Sequence, residues 1–320
     1  MIEIFEDWRA IPPAARGASV ALGNFDGVHR GHRAVIAGAH AARPDLPLGV
    51  VTFEPHPRAF FRPDDPPCRL TLPSDRAALL ETLGVRFLYQ LRFDRAFSEL
   101  SAEAFVEDVL LGGLGARHLA CGPDFAFGHR RGGDARFLTE RAERHGVGVS
   151  VIPKLADAEG PISSTRIRRL LKDGYPERAA RLLGRYWSIE RPVERGDRLG
   201  RELGFPTANL TFGPYLEPAR GIYVVRAALP GGVVRDGVAN VGRRPTLGGD
   251  PLTRCEVFLF DFSGDLYELP LRVFFLAYLH EEIAYPSLDA LKAGIAADVE
   301  AARRWFATTP LPPSFPEIEA

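Results

Sequence analysis

Residues 23–32 read GNFDGVHRGH and place His29 and His32 three apart around Gly31, directly after the apolar run SVALG. Imidazoles at i and i+3 share one helical face, where they can donate hydrogen bonds to the charge that develops when a phosphorus is attacked. The glycines let the backbone approach a ligand closely, and a helix N-terminus adds free N–H groups and a partial positive charge. The stretch lacks the Gly-Lys-Ser/Thr of a Walker A loop and the spacing of a dinucleotide GxGxxG. On its own, HxxH is more often a surface accident or a hydrogen-bonded structural pair, and zinc would need further ligands that no nearby carboxylate or cysteine offers at helical spacing. A second stretch, ISSTRIR at 162–168, also opens a helix with hydroxyls and arginines in its first turn. It reads either as a second phosphate clamp or as an N-cap with a basic face. The two stretches lie about 135 residues apart, near the two ends of one α/β pattern.

The elements that must hold these residues alternate. SVALGNF, LPLGVVTF, FLYQLRF, HLACG and VGVSVIP read as strands; HRAVIAGAHAA, SDRAALLETLG, SAEAFVEDVLL, DARFLTERAERHG and SSTRIRRLLKDG read as helices. Ser74 and Ser101 are expected N-caps, and Gly84, Gly146 and Gly174 expected stops. The alternation predicts an α/β domain, a Rossmann-like parallel sheet covered by helices on both faces. GNFDGVHRGH then falls at the carboxyl edge of that sheet, where such folds bind ligands. Beyond Tyr186 the pattern turns to successive strands, WSIERPVERG, GIYVVRAAL, DGVANVG, CEVFLFDF and LPLRVFFLAYL, with one late helix in SLDALKAGIAADVEAARRWF. That predicts an antiparallel β-barrel with a terminal helix. The expected domains are 1–180 and 181–308, followed by a Pro-rich, loose tail over 309–320.

The chain has 320 residues, 46% hydrophobic and 25% charged, with a net charge of −1. That balance offers no bulk field for nucleic acid or an anionic membrane, and it specifies no oligomer. Cys68, Cys121 and Cys255 form no pair motif, which points to a reducing compartment. No apolar run reaches about 18 residues, and no basic-then-apolar leader opens the chain, so a cytoplasmic location is expected.

A strand followed by HxGH and closed by ISSTxxR resembles the nucleotidylyltransferase superfamily. TFEPHPR at 52–58, GPDFAFGHRRGGD at 122–134, LGFPTANL at 203–210 and GVANVGRRPT at 237–246 narrow the resemblance to the bacterial bifunctional riboflavin kinase/FAD synthetases, over roughly residues 18–306. The resemblance implies that ATP phosphorylates riboflavin to FMN, and that a second ATP adenylylates FMN to FAD with release of pyrophosphate. It implies small-molecule partners, ATP, Mg²⁺ and flavins, and no covalent enzyme intermediate. His29 and His32 would hold the ATP phosphates, with Gly23, Phe25 and Asp26 shaping the nucleotide pocket and Ser164, Thr165 and Arg168 taking the pyrophosphate. His56, Asp124, Phe125 and Phe127 would face the flavin, although core packing explains the two phenylalanines equally well.

In the second half, the resemblance makes Gly200 and Gly204 the close-approach positions for nucleotide and Thr207 and Asn209 hard oxygen ligands for Mg²⁺. Glu256 would be the base for the ribityl 5′-hydroxyl; its apolar flanks suit partial burial. Read alone, PTAN is a turn and Glu256 an ordinary strand glutamate. One segment departs from the family pattern. LHEEIAYPSLDAL carries His280 where arginine is expected, Ala284 where a basic residue is expected and Tyr285 where phenylalanine is expected. The departure bears on flavin affinity more than on chemistry. A transferase of the same superfamily with another acceptor, or a flavin-binding protein without catalysis, would lack either the barrel motifs or the reactive side chains.

Overall fold

The computed structural model describes residues 1–196, 200, 203–243 and 253–317. Arg201 and Glu202 of GRELGFPTAN, residues 244–246 of GVANVGRRPT, and residues 318–320 of the tail lie outside the described residues. The chain divides into two compact units, Met1–Pro66 with Thr71–Ser163, and Pro67–Leu70 with Ser164–Ala320.

The first unit is a six-stranded sheet of β1 (Glu3–Phe5), β2 (Ser19–Leu22), β3 (Leu48–Glu54), β4 (Phe87–Arg92), β5 (His118–Cys121) and β6 (Gly148–Val151). Their order is β1-β4-β3-β2-β5-β6, and every neighbouring pair is parallel. Alternate residues feed two apolar clusters. Val20, Val51, Phe53, Tyr89 and Leu119 join one; Ala21, Val50, Leu88 and Ala120 join the other. A parallel sheet buried on both faces needs such unbroken apolar runs, and burying each large side chain stabilises the fold by roughly 1.5–3 kcal/mol. The order reverses between β2 and β5, so the switch point lies beside the carboxyl end of β2. At the opposite edge, Ser19 Oγ donates to Ala39 O at 2.6 Å and faces His118 Nδ1 at 2.9 Å, while His118 Nε2 faces Ser150 Oγ at 3.0 Å. Ser19 has spent its proton, so His118 donates from Nδ1 and accepts at Nε2. Desolvation, and then the Arg43 charge, push the His118 pKa down.

Helices α1 (Arg30–Ala42), α2 (Pro73–Thr82) and α3 (Ala135–Arg144) belong to this unit. Ser74 is not the N-cap of α2: the helix starts one residue earlier, at Pro73. Proline suits the first helical position, and Asp75, three residues into the helix, reaches back so that its Oδ2 accepts the Leu72 N–H at 3.1 Å. Ser101 does cap its helix, accepting from Ala104 N–H at 3.0 Å, but the helix continues as a π-helix over Phe105–Gly113.

The second unit holds β7 (Trp187–Pro192), β8 (Thr207–Thr211), β9 (Gly221–Ala228), β10 (Val234–Arg243), β11 (Thr253–Leu259) and β12 (Pro270–His280). The antiparallel order is β7-β12-β9-β10-β11-β8. A bridge between Glu194 and Asn209 joins the chain just beyond β7 to β8 and closes the barrel. Helices α4 (Ser164–Lys172) and α5 (Pro176–Leu183) cluster with this barrel, where the sequence pattern places the border at about 180. Their apolar faces explain it: Ile167, Leu171, Ala179, Ala180 and Leu183 are all buried, and Leu171 O accepts Ala219 N–H at 2.9 Å. Helix α6 (Leu288–Thr308) lays Ala302 against Val224, Val238 and Phe274.

Residues 309–317, expected to be loose, instead pack on the barrel. The Phe315 ring lies 4.9 Å from Phe274, and Tyr186 N–H donates to Pro316 O at 3.0 Å. The strap Pro67–Leu70 joins the same unit. Leu70 O accepts from buried Trp187 Nε1 at 3.0 Å, Arg69 O from Leu216 N at 2.9 Å, and Cys68 O from Arg168 Nε at 2.7 Å.

Candidate active sites

In the first unit, the turn after β2 is strained before α1 begins. Phe25 and Val28 sit at φ 51° and 39°, and Gly27 at 86°. Left-handed non-glycine residues cost about 1–2 kcal/mol each and persist where the surroundings hold them. Here buried Asp26 is the anchor. Its Oδ1 accepts from Thr71 N–H at 3.0 Å and from Thr71 Oγ1 at 3.2 Å, and Gly27 N–H donates to Thr71 Oγ1 at 3.0 Å. Asp26 therefore braces the loop rather than presenting this oxygen to solvent. Phe25 is buried and meets His32 edge-on at 5.2 Å.

His29 caps α1: its Nδ1 accepts from His32 N–H at 3.2 Å. A neutral imidazole that accepts at Nδ1 carries its proton on Nε2, which makes that nitrogen a donor. The two rings stack at 3.6 Å with 16° between their planes. Space at Gly31 is tight, because a Cβ would lie 3.1 Å from the His29 ring and 3.4 Å from Ile162 O.

A cavity of about 460 Å³ opens at the carboxyl edge of the same sheet. Seven phenylalanines line it among the described residues, including Phe53, Phe93, Phe97, Phe125 and Phe127, with Gly23, Asp124, Arg58, Arg130 and Arg131. The structure thus brings Gly23, Asp124, Phe125 and Phe127 together. The two phenylalanine rings stack at 5.3 Å, and Phe127 also joins the core. His56 does not line the cavity. Its Nδ1 accepts from Arg58 N–H at 3.1 Å and caps the one-turn helix Pro57–Phe61, which carries Arg58 and Phe61 to the rim. Asp124 faces Lys154 at 3.0 Å. Ser164, Thr165 and Arg168 stand in the first turns of α4, in the second unit, with Thr165 exposed and the other two half-buried.

The second unit builds its site on regular strands. Directly opposed residues of antiparallel strands share a face. Across the barrel the register pairs Glu194 with Asn209, Asn209 with Glu256, Glu256 with Asn240, Asn240 with Ile222, and Ile222 with His280. One mostly polar row therefore crosses the sheet. A cavity of about 200 Å³ lies along it, lined by Gly200, Thr207, Ile222, Asn240, Glu256 and His280, with Tyr285 and Asp298 opposite. Thr207 also lines a second cavity of about 320 Å³, with Pro206, Phe262 and Tyr267.

Asn209 is buried, and its Nδ2 donates to Thr207 O at 3.2 Å. A Cβ at Gly196 would lie 2.5 Å from that amide, so this glycine, which the motifs did not flag, leaves room for the Asn209 side chain. At Gly200 a Cβ would lie 2.5 Å from Phe205 O. Gly204 takes φ 90° in the turn before β8 and does not line either cavity.

The FAD synthetase family matches residues 11–166 and the riboflavin kinase family residues 183–306. The bifunctional riboflavin kinase/FMN adenylyltransferase of Pseudomonas fluorescens is 42% identical over 91% of this chain and 94% of its own length. The Escherichia coli K12 protein of the same description is 38% identical over 92% and 94%. This chain belongs to the bifunctional riboflavin kinase/FMN adenylyltransferase family. A crystal structure described as a macrolide-efflux protein from Streptococcus pneumoniae superposes with a TM-score of 0.84 at 30% identity, covering 95% of this chain and 99% of that one. Among the described residues no helix is long and apolar enough to cross a membrane. The protein is a transferase that phosphorylates riboflavin and adenylylates FMN, with ATP as donor.

In the kinase module the atypical segment is tied to itself and to α6. His280 Nδ1 donates to Glu281 O at 2.7 Å, and Nε2 meets Asp298 Oδ1 at 2.8 Å. Both nitrogens face acceptors, which favours imidazolium. Burial works against the charge, but the Asp298 hydrogen bond, the Glu281 carbonyl and the Asp298 charge together raise the His280 pKa. Tyr285 fills the space left by Gly294, where a Cβ would collide with its hydroxyl. Ala284 is exposed.

Proposed function

We propose that riboflavin phosphorylation takes place along the polar row of the barrel, with Glu256 as base and Thr207 and Asn209 as the metal-facing pair. The observation that carries this reading is that Gly200, Thr207 and Glu256, separated in sequence, line one cavity, while Thr207 also lines the next. Two cavities sharing one hydroxyl suit two substrates that meet at a phosphoryl group. Riboflavin takes the cavity with Glu256, and ATP the cavity with Pro206, Phe262 and Tyr267. The 5′-oxygen attacks the γ-phosphorus, Glu256 accepts the hydroxyl proton, and ADP leaves.

Among the described residues no cluster of three His, Cys, Asp or Glu side chains could hold a metal. A hydroxyl and an amide oxygen two residues apart on β8 nevertheless fit Mg²⁺, which commonly takes few protein ligands and completes its shell with phosphate and water. When bound, Mg²⁺ neutralises phosphate charge at the point of transfer. The Asn209 Nδ2 contact to Thr207 O fixes the orientation of that amide.

In the other module the FMN phosphate, already ionised, attacks the α-phosphorus of ATP and expels pyrophosphate, so no base is needed. The His29 and His32 donors hold the phosphates; the pyrophosphate is assigned to the hydroxyl-rich helix N-terminus of Ser164, Thr165 and Arg168, which belongs to the second unit. The phenylalanine-lined cavity takes the flavin ring. The reactions take place in the cytoplasm, with small molecules as substrates.

The test is Glu256→Gln, which keeps shape but accepts no proton. FMN formation from riboflavin is expected to fall about 10²–10⁴-fold, while supplied FMN is still converted to FAD. Normal FMN formation would remove Glu256 from the mechanism.

A further inference from the structure

Asn240 stands beside Glu256 in the polar row, on the neighbouring strand and the same face. It lines the cavity that holds Glu256. Its Oδ1 is buried and has no hydrogen-bond partner among the described residues. Buried acceptors of this kind are rare in folded proteins, because losing water without gaining a donor is costly. Its cross-strand neighbour on the other side is Ile222, which offers no donor. The main-chain ladder therefore fixes an unfilled acceptor one strand away from the base.

The geometry points to Asn240 as the residue that positions the sugar-alcohol chain of riboflavin, its Oδ1 accepting from a ribityl hydroxyl so that the 5′-hydroxyl comes to Glu256. The ligand chemistry follows from the row itself. A flavin ring offers one N–H and otherwise acceptors, whereas the ribityl chain offers hydroxyl donors at four of its five carbons. An acceptor next to the base is matched by the part of the substrate that carries the reacting hydroxyl. Asn240 is a positioning residue and takes no proton. This inference rests on the assignment of the Glu256 cavity to riboflavin.

The experiment compares two flavins at the kinase site of the full-length protein. Riboflavin is read by its KM, and lumiflavin, which has the ring but no ribityl chain, by its inhibition constant against riboflavin phosphorylation. Asn240→Ala is expected to raise the riboflavin KM about five- to tenfold, the size of one hydrogen bond. Lumiflavin inhibition and the KM for ATP are expected to stay within about twofold, since neither involves a contact to the ribityl chain. An unchanged riboflavin KM, or an equal loss for both flavins, would overturn the proposal.

Asn240→Asp keeps the acceptor and answers the question should Asn240→Ala melt without cooperativity. Its riboflavin KM is expected to stay within about threefold, while the acid limb of kcat moves to higher pH because a second carboxylate faces Glu256. A loss of affinity for both flavins by this variant would also overturn the proposal. Ile222→Trp, which fills the cavity floor, separates the two levels of inference. Undiminished binding of both flavins in that variant would sink the cavity assignment. Loss of both there, with an unchanged riboflavin KM in Asn240→Ala, would sink only the role of Asn240.

Discussion

The two modules position their candidate site residues by different mechanical means. The adenylyltransferase loop stores strain, with Phe25 and Val28 at positive φ, a buried Asp26 brace and two stacked imidazoles at a helix start. The kinase row, among the described residues, takes Asn209, Glu256 and Asn240 from the regular register of β8, β11 and β10, and the pairing shifts only where β9 meets β12, at Ile222/Tyr223 and Val224/Val225. The first site depends on a few residues over-determining one turn. The second depends on strand pairing that many residues share. Damage should therefore be sharp and local in the first module and graded along the sheet in the second.

The largest expected effect is on the strained side. His29→Ala combined with His32→Ala removes two phosphate donors, each worth about 10²–10³ in rate when such a donor serves a transition state. FAD formation from FMN should become undetectable, while riboflavin phosphorylation stays near the parent rate. FAD formation above a tenth of the parent rate would return the pair to a purely structural role.

Gly200→Ala tests the register side. Its Cβ meets main-chain oxygen of Phe205 at 2.5 Å, so the segment before β8 must shift. Loss of kinase activity by about tenfold or more is expected, since small misplacements of positioned groups are costly; steady-state assays of FMN and FAD yields check it. Gly31→Ala meets only a ring edge and the Ile162 carbonyl at 3.1–3.4 Å, and its loss of FAD formation is expected to be smaller.

A smaller effect concerns stability. A fragment beginning at Leu182 loses the Leu171 acceptor for Ala219 N–H and the buried Ala179 and Ala180. A fragment beginning at Ser164 keeps them. The shorter fragment is expected to melt lower, because it loses the burial of Ala179 and Ala180 and a hydrogen bond worth about 0.5–1.5 kcal/mol; equal melting temperatures would contradict the assignment of α4 and α5 to the barrel.

The gentlest test is pH, because two histidines have opposite signs. The His118 pKa is lowered in the fold, so the unfolded chain binds the extra proton and stability is lost as pH falls below about 6.5. The His280 pKa is raised, so its contribution is complete below about 6.5 and fades as pH rises through the folded value. Melting of His118→Asn is expected to show a flatter acid side, and that of His280→Asn a flatter alkaline side. Matching pH profiles for the two variants would refute the difference.

Much of this was legible in the chain. The four inner strands of the first sheet are almost wholly buried, so runs such as LPLGVVTF announce themselves, and the paired histidines sit within ten residues. The parts that stayed hidden depend on distant partners. Phe53, Phe93, Phe97 and Phe105 become one cavity wall only when separate elements converge. Thr207 and Asn209 form a strand despite turn-forming neighbours, because β11 and Glu194 supply hydrogen-bond partners on both sides. The tail docks through Phe315 on Phe274, a pairing that no local pattern encodes. Asn240 lay within a quoted motif, but its significance comes from an empty acceptor and its strand neighbours, neither of which spacing reveals.

The strap Pro67–Leu70 has a consequence for inheritance. It is encoded inside the adenylyltransferase half but supplies the acceptors for Trp187 and Leu216 of the barrel. A recombinant of two relatives spliced once, between residues 163 and 164, would combine one parent's strap with the other parent's barrel. Each sequence change at Cys68, Arg69 or Leu70 that alters the strap's path must then be tolerated by a barrel that did not diverge alongside it. Exchange between lineages is expected to leave functional offspring mainly when the crossover is double and those four residues travel with the barrel they complete.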